Sequence, residues 1–160
     1  MTTSSIGETL KDIDLFKGLR AEELDRVAAL ARSAVVTSGV ALINESERGD
    51  AIFLILEGRV DVKVSVPGSE AKETIATLNA GEVVGELMLV GKSRRSAYVY
   101  AKDEVNVMIW SKADLLALFE KEHHIGYRVM TNIAGFVADR LTSTNMVLRN
   151  VMSIPKASLL

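Results

Sequence analysis

Cysteine is absent from the 160-residue sequence, and histidine occurs only twice, as the neighbours His123 and His124. The first absence removes disulfide scaffolds, thiol catalysis, iron–sulfur clusters and cysteine zinc sites together. The second leaves too few imidazoles for a histidine-rich metal site. A large net charge is also lacking: 19 Lys and Arg stand against 21 Asp and Glu, a formal −2. A protein that grips nucleic acid non-specifically carries a basic excess, so this balance speaks against one. Long apolar runs are missing as well. The longest, residues 51–56, falls far short of the roughly 18 residues that cross a bilayer. The opening residues 1–16 have neither a basic start nor a long apolar segment, so no secretory leader is expected and a cytoplasmic protein is the reading. What is there suits one globular domain with a buried core: 48% of residues are hydrophobic and 25% charged.

The chain turns from helical to strand-like and back. Leu24, Val27, Ala28 and Ala31 recur at i, i+3, i+4 and i+7 within residues 21–32, a stretch free of Gly and Pro, which predicts a helix with one apolar face. Ser38-Gly39 breaks that pattern as a turn would. From residue 35 to 110 the period falls to two. Residues 59–66 alternate strictly, with Val60, Val62, Val64 and Val66 on one face, and Pro67-Gly68 closes the strand. Residues 52–56, 98–102 and 105–110 read as further short strands, the last ending in Trp110 as a core residue. Short strands at close spacing predict an antiparallel barrel or jelly roll.

Helical pattern returns at Ser111, which has the form of an N-cap with Asp114 three residues on. Leu115, Leu118 and Phe119 follow on one face. Gly126 is expected to separate this helix from a longer one over residues 127–152 that Pro155 stops. In the longer helix Ala134, Val137, Leu141, Thr144, Leu148 and Val151 step by three and four, a heptad seam with one polar member. His123 and His124 are expected to be surface residues at the helix junction. No internal repeat or low-complexity linker interrupts the chain.

The stretch with chemical content is residues 81–97, GEVVGELMLVGKSRRSA, between two strands. Gly81, Gly85 and Gly91 punctuate it, and Lys92, Arg94 and Arg95 crowd its end. Residues 86–90 suit one short helical turn, whose free N–H groups attract anions. An arginine ten residues after Gly85 is placed to fold back on the same anion. The spacing is compatible with a phosphate cradle beside the Glu86 carboxylate, but taken alone it favours an exposed basic loop entering a strand.

This stretch resembles the phosphate-binding cassette of cyclic-nucleotide-binding domains, whose pattern runs roughly F-G-E-x-A-L, a spacer, then P-R-[SAT]-A. Gly85-Glu86-Leu87 and Arg95-Ser96-Ala97 carry the match. Asp14 to Leu19, DLFKGL, resembles the family's N-terminal element, and Gly49 to Val60, GDAIFLILEGRV, resembles its hairpin. Arg94 stands where proline is common, Met88 where a small residue is usual, and Ser46 where a turn glycine is frequent. The extra bulk of Met88 is expected to affect packing of the cassette.

The resemblance implies a fold and a set of roles. The fold class is mainly β with flanking helices: an N-terminal helical element, an antiparallel β-roll or jelly roll of eight strands, and two C-terminal helices. Residues 1–152 form the domain, with the roll at about 34–110 and the helices at about 111–152, and residues 153–160 are a tail. Arg95 would pair with an exocyclic phosphate oxygen. Glu86 would accept from the ribose 2′-OH, and N–H groups near Gly85, Glu86 and Leu87 would complete the anion site. Ser96 and Ala97 border the phosphate. Ile75, Ala76 and Val84 line the base pocket. Thr144 and Asn145 on the long helix resemble residues that reach the base, one of them from a neighbouring subunit. The implied ligand is cAMP, with cGMP possible through the Ser96 hydroxyl. No cofactor, metal or catalytic constellation is expected, and the chain is not read as an enzyme. The expected partners are the cyclic nucleotide, an unknown effector protein and a second copy through the C-terminal helix, with no membrane. Two alternatives stand beside this reading. One is a transcription regulator lacking its DNA-binding module, because the residues after Asn150 are too few for a helix-turn-helix and no direct DNA binding is expected. The other is a degenerate domain used only for dimerisation or docking.

Overall fold

A computed structural model describes residues 3–91 and 94–153 of the chain. Lys92 and Pro155 lie outside the described residues, as does the expected tail beyond Ser153.

The chain opens with α1 (Thr3–Leu10), a 3-10 turn at Asp14–Phe16 and α2 (Ala21–Ala29). α2 begins where the Arg20 N–H donates to the Glu23 carboxylate at 2.8 Å, which satisfies a donor that the helix start leaves free. Its buried face is Leu24, Val27 and Ala28. The sequence pattern carries the helix to Arg32, but it stops at Ala29. Leu30 and Ala31 close it with tight bonds to Val27 O and Ala28 O, and Arg32 already opens the first strand. Trp110, fully buried, donates its indole N–H to Val27 O at 2.8 Å and packs against Phe16 at a centroid distance of 5.4 Å. One tryptophan thereby joins the last strand, α2 and the 3-10 turn.

Two antiparallel four-stranded sheets follow. One has the order β1 (Arg32–Val36), β8 (Val105–Ser111), β3 (Ala51–Glu57), β6 (Val83–Val84). The other has the order β2 (Ala41–Ile43), β7 (Tyr98–Ala101), β4 (Val60–Ser65), β5 (Lys72–Leu78). This is the expected jelly roll. The alternation in β4 works as the sequence suggests: Val60 and Val62 join the core inside the roll, while Asp61 accepts from Thr77 across the outer face. A second core, containing Phe16, Trp110, Leu115, Phe119 and Ile125, seals the roll against the helices. Burial of this many large apolar side chains, at roughly 1.5–3 kcal/mol each, dominates the stability.

After β8, α3 (Lys112–Lys121) starts at Ser111, whose hydroxyl accepts from the Asp114 N–H at 3.4 Å, as the cap pattern predicts. α4 (His123–Ser153) then runs for 31 residues. The expected break at Gly126 is corrected: the helices part at Glu122, whose backbone sits at φ −119°, ψ 78°. Gly126 lies inside α4, and a Cβ there would stand 2.8 Å from the Cβ of Phe119. Its missing side chain serves the close approach of α3 and α4, not a helix stop. The surface expectation holds for His123 alone. His124 is half-buried against Glu23, contrary to the reading of both as surface residues. Among the described residues no helix is long and apolar enough to cross a membrane.

Candidate functional site

The segment between β6 and β7 is built around Arg95. β6 leads into Gly85, which takes the left-handed conformation at φ +91° and starts a 3-10 turn over Glu86–Leu89. A side chain at Gly85 would be strained by that φ and would overlap the Arg95 guanidinium. A side chain at Gly49, on the other side, would overlap the same guanidinium and the Met88 sulfur. Two glycines therefore clear the space that Arg95 fills. Met88 occupies the remaining space over Gly49, which is how its bulk is accommodated where a smaller residue is usual in the resembled pattern.

Arg95 is pinned at both backbone and side chain. Its N–H donates to Glu47 O at 3.0 Å and its carbonyl accepts from the Ser46 N–H at 2.9 Å. Ser46 sits at φ +67°, so the position where the resemblance leads one to look for glycine does need a left-handed residue. The guanidinium donates to Ala51 O at 2.5 Å, with Gly85 O at 3.5 Å from its second nitrogen. Among the described residues no carboxylate closes an ion pair with it. Burial lowers its affinity for the proton, while the negative charges of Asp50 and Glu86 act the other way. A guanidinium stays charged in proteins regardless. The result is a half-buried cation with donors to spare, a combination that suits an anion more than it suits stability.

Glu86 heads the 3-10 turn and is only 9% exposed. None of the described residues donates a hydrogen bond to its carboxylate. Arg95 and Glu86 both line a cavity of about 760 Å³. That volume lies within the usual ~300–1,000 Å³ range of small-molecule sites. The same cavity is lined by Val84, Gly85, Leu87, Ser96 and Ala97 from the segment and by Ile75 and Ala76 from β5. Cationic and anionic groups thus share a cavity with apolar side chains such as Ile75, Val84 and Leu87.

The long helix contributes differently from the sequence reading. Thr144 and Asn145 are exposed and lie outside this cavity, and the Thr144 hydroxyl donates to its own helix at Arg140 O, 2.8 Å away. Phe136 and Arg140 line the cavity instead. Phe136 carried a weak sequence cue, three residues after the buried Ile133. Arg140 carried none. Arg94, which also borders the cavity, is exposed and reaches only Ser46 O at 3.4 Å. Among the described residues no cluster of three or more metal-ligating side chains occurs.

The cyclic nucleotide-binding domain profile matches residues 34–122. The chain is 27% identical over 139 residues to a cyclic AMP receptor protein of Thermus thermophilus, covering 87% of this chain and 62% of that protein. It is 34% identical over 92 residues to a cAMP-dependent protein kinase regulatory subunit of Mycosarcoma maydis, covering 58% of this chain and 17% of that one. The chain therefore spans less than two thirds of either relative. The crystal structure of a cyclic nucleotide-binding domain from Methylobacillus flagellatus superposes with a TM-score of 0.77 at 24% identity, over 92% of this chain and 83% of that one, and shows the same fold.

Proposed function

The chain belongs to the cyclic nucleotide-binding domain family, and from that premise we propose that it binds cAMP reversibly as a regulatory sensor, in the cavity between residues 81–88, residues 94–97, β5 and α4. The observation that carries the reading is Arg95, a half-buried cation cleared by two glycines, held only by carbonyls and facing the same cavity as the buried Glu86.

The roles follow from the chemistry of the groups. Arg95 pairs with the exocyclic oxygens of the cyclic phosphate through the donors that Ala51 O and Gly85 O leave free. The first N–H groups of the 3-10 turn, at Gly85, Glu86 and Leu87, add donors, since Met88 is the first residue there to bond back, to Gly85 O. Glu86 accepts from the ribose 2′-OH. Ser96 and Ala97 border the phosphate, and Ile75, Ala76 and Val84 pack on the base. Phe136 and Arg140 close the cavity from α4. A guanine ring also fits this description, with Ser96 as an acceptor for its amino group, so cGMP is the competing ligand.

In this reading α4 also pairs with a second copy. Val137, Leu141, Leu148 and Val151 are all exposed in the single chain, and they form the seam that the heptad spacing describes. Thr144 and Asn145 lie on the same stretch, from which they would serve the neighbouring subunit. The nucleotide signal then passes to an effector protein. Thermal unfolding with and without cAMP, cGMP and cyclic dinucleotides tests the proposal. A rise in Tm that saturates with cAMP supports it, and no rise with any nucleotide refutes it.

A further inference from the structure

Away from the cavity, α2 holds the start of α4 by a cluster of charged groups. Glu23 and Arg26 lie three residues apart on α2 and so share a face. Arg26 pairs with Glu122, at the break between α3 and α4, at 2.5 Å. Glu23 Oε1 lies 2.7 Å from Nδ1 of His124, in the first turn of α4. The two pairs grip both sides of the break. Glu23 is 4% exposed, and its other oxygen accepts the Arg20 N–H. Burial pushes its carboxyl up, but the Arg20 N–H and His124 outweigh burial and hold it below the ordinary value, so it is ionised near neutrality. On the far side of the imidazole, Arg128 Nε lies 3.5 Å from Nε2, a contact that fits the tautomer with its proton on Nδ1. Farther along α4, Asn132 donates to Leu15 O and Lys17 O, both at 3.0 Å.

These contacts matter for the cavity because α4 is one continuous helix. At a rise of 1.5 Å per residue, Phe136 and Arg140 stand about 18 and about 24 Å beyond His124. A tilt of about 10° at the first turn would displace Phe136 by roughly 3 Å, most of a side-chain contact.

We infer that Glu23 and His124 are a positioning pair for the ligand site: by fixing the angle at which α4 leaves the roll, they hold Phe136 and Arg140 in the cavity. The inference rests on that cavity being the nucleotide site. It assigns a task to a buried carboxylate and a half-buried imidazole that otherwise touch nothing in the proposed binding mechanism.

The test has two arms. The chain has no cysteine, so spin labels at Glu73→Cys on β5 and Asp139→Cys on α4, both exposed positions, report the α4 angle without interference. His124→Ala should broaden the label-to-label distance distribution in the nucleotide-free protein. His124→Gln, which still offers an N–H to Glu23, should restore it. Unchanged circular dichroism confirms that both variants fold. In the second arm, cAMP is titrated into each variant. If the docked α4 falls to about a tenth to a third of molecules, Kd rises about 3- to 10-fold for His124→Ala. In a Phe136→Ala, Arg140→Ala background the same substitution should add far less, because the chain's own α4 no longer touches the ligand in its own cavity. A distribution that stays narrow in His124→Ala overturns the inference. So does an equal affinity loss in both backgrounds, which would mark a general structural role. A distribution that broadens in a protein that binds no cyclic nucleotide supports the clasp and sinks the ligand reading instead.

Discussion

Replacing Arg95 with alanine removes the cation that Gly49 and Gly85 clear space for, and its effects on binding and on folding should part company. For binding, the group lost in the proposed site is a charge paired with the cyclic phosphate. Truncating one member of such a pair costs about 2–5 kcal/mol, which at about 1.4 kcal/mol per decade is roughly 30-fold to several thousand-fold in Kd. For folding, the side chain gives up one good hydrogen bond, to Ala51 O, and one long one, to Gly85 O. Against that loss stands relief from holding a half-buried cation with no ion-pair partner among the described residues. Of the two carbonyls left behind, Gly85 O belongs to a residue that lines the cavity, where water can reach it. The net change in unfolding free energy should stay within about 1 kcal/mol. Arg95→Lys should bind nearly as poorly as alanine, because an ammonium on a flexible stem cannot span Ala51 O and a phosphate as the planar fork does. Arg94→Ala is the matched control, since Arg94 is exposed and makes one weak contact, so its loss should be within about 0.5 kcal/mol. Calorimetric titration with cAMP, paired with ligand-free unfolding of each variant, separates the two effects. Equal affinity losses for Arg94→Ala and Arg95→Ala would refute the assignment of Arg95. A ligand-free Arg95→Ala protein that no longer folds would show that the cation serves stability after all.

Three further outcomes follow from the same structure. Glu86→Gln should weaken cAMP by roughly 1.5–3 kcal/mol, and 2′-deoxy-cAMP should lose a comparable amount on the wild type. The losses should fail to add when combined, and additive losses in titration would place Glu86 away from the ribose. Leu141→Asp should convert a dimer to a monomer in light scattering without unfolding it, because Leu141 is 60% exposed in the single chain. A wild type that is already a monomer with cAMP bound removes the seam from the proposal. The two helical glycines of α4 should respond oppositely to alanine. Gly135→Ala meets nothing within 4 Å and should raise stability by about 0.5–1 kcal/mol, whereas Gly126→Ala meets Phe119 and should lower it by about 1–3 kcal/mol. Thermal unfolding that moved both the same way would contradict the packing described at Gly126.

The features legible in the sequence are those that local rules determine. The alternation at Val60 to Ser65, the cap at Ser111 and the turn glycine at Gly85 each express a constraint within a few residues, and each is found where the pattern puts it. The misreadings arise where distant parts of the chain meet. Gly126 looks like a helix breaker because glycine costs helix stability, yet its reason for being there is Phe119 on the neighbouring helix. His124 looks like a surface residue until α2 brings Glu23 to it across 101 positions of sequence. Arg140 is one cation among many until the fold brings α4 alongside β5 and residues 81–88, where Arg140 lines the cavity with them. Thr144, one turn beyond Arg140, lies outside the chain's own cavity, and the reach proposed for it is to the neighbouring subunit.

α4 carries three of these features in order: the grip of α2 on its first turn, Phe136 and Arg140 at the cavity, and the exposed apolar seam beyond Val137. A ligand that touches the middle of such a helix can influence its far end only if it binds the docked and undocked helix with different affinity. Linkage then makes the effect mutual: whatever factor the ligand adds to pairing of the seam, pairing must add to ligand affinity. The continuity of the helix supplies a physical route for this exchange within one chain. It also fixes where the route fails. Loosening the first turn leaves the seam itself intact but frees the angle that relates it to the cavity, so ligand affinity should fall and lose its dependence on protein concentration. A cavity that bound cAMP equally well in monomer and dimer, with α2 and α4 still clasped, would show that α4 transmits nothing.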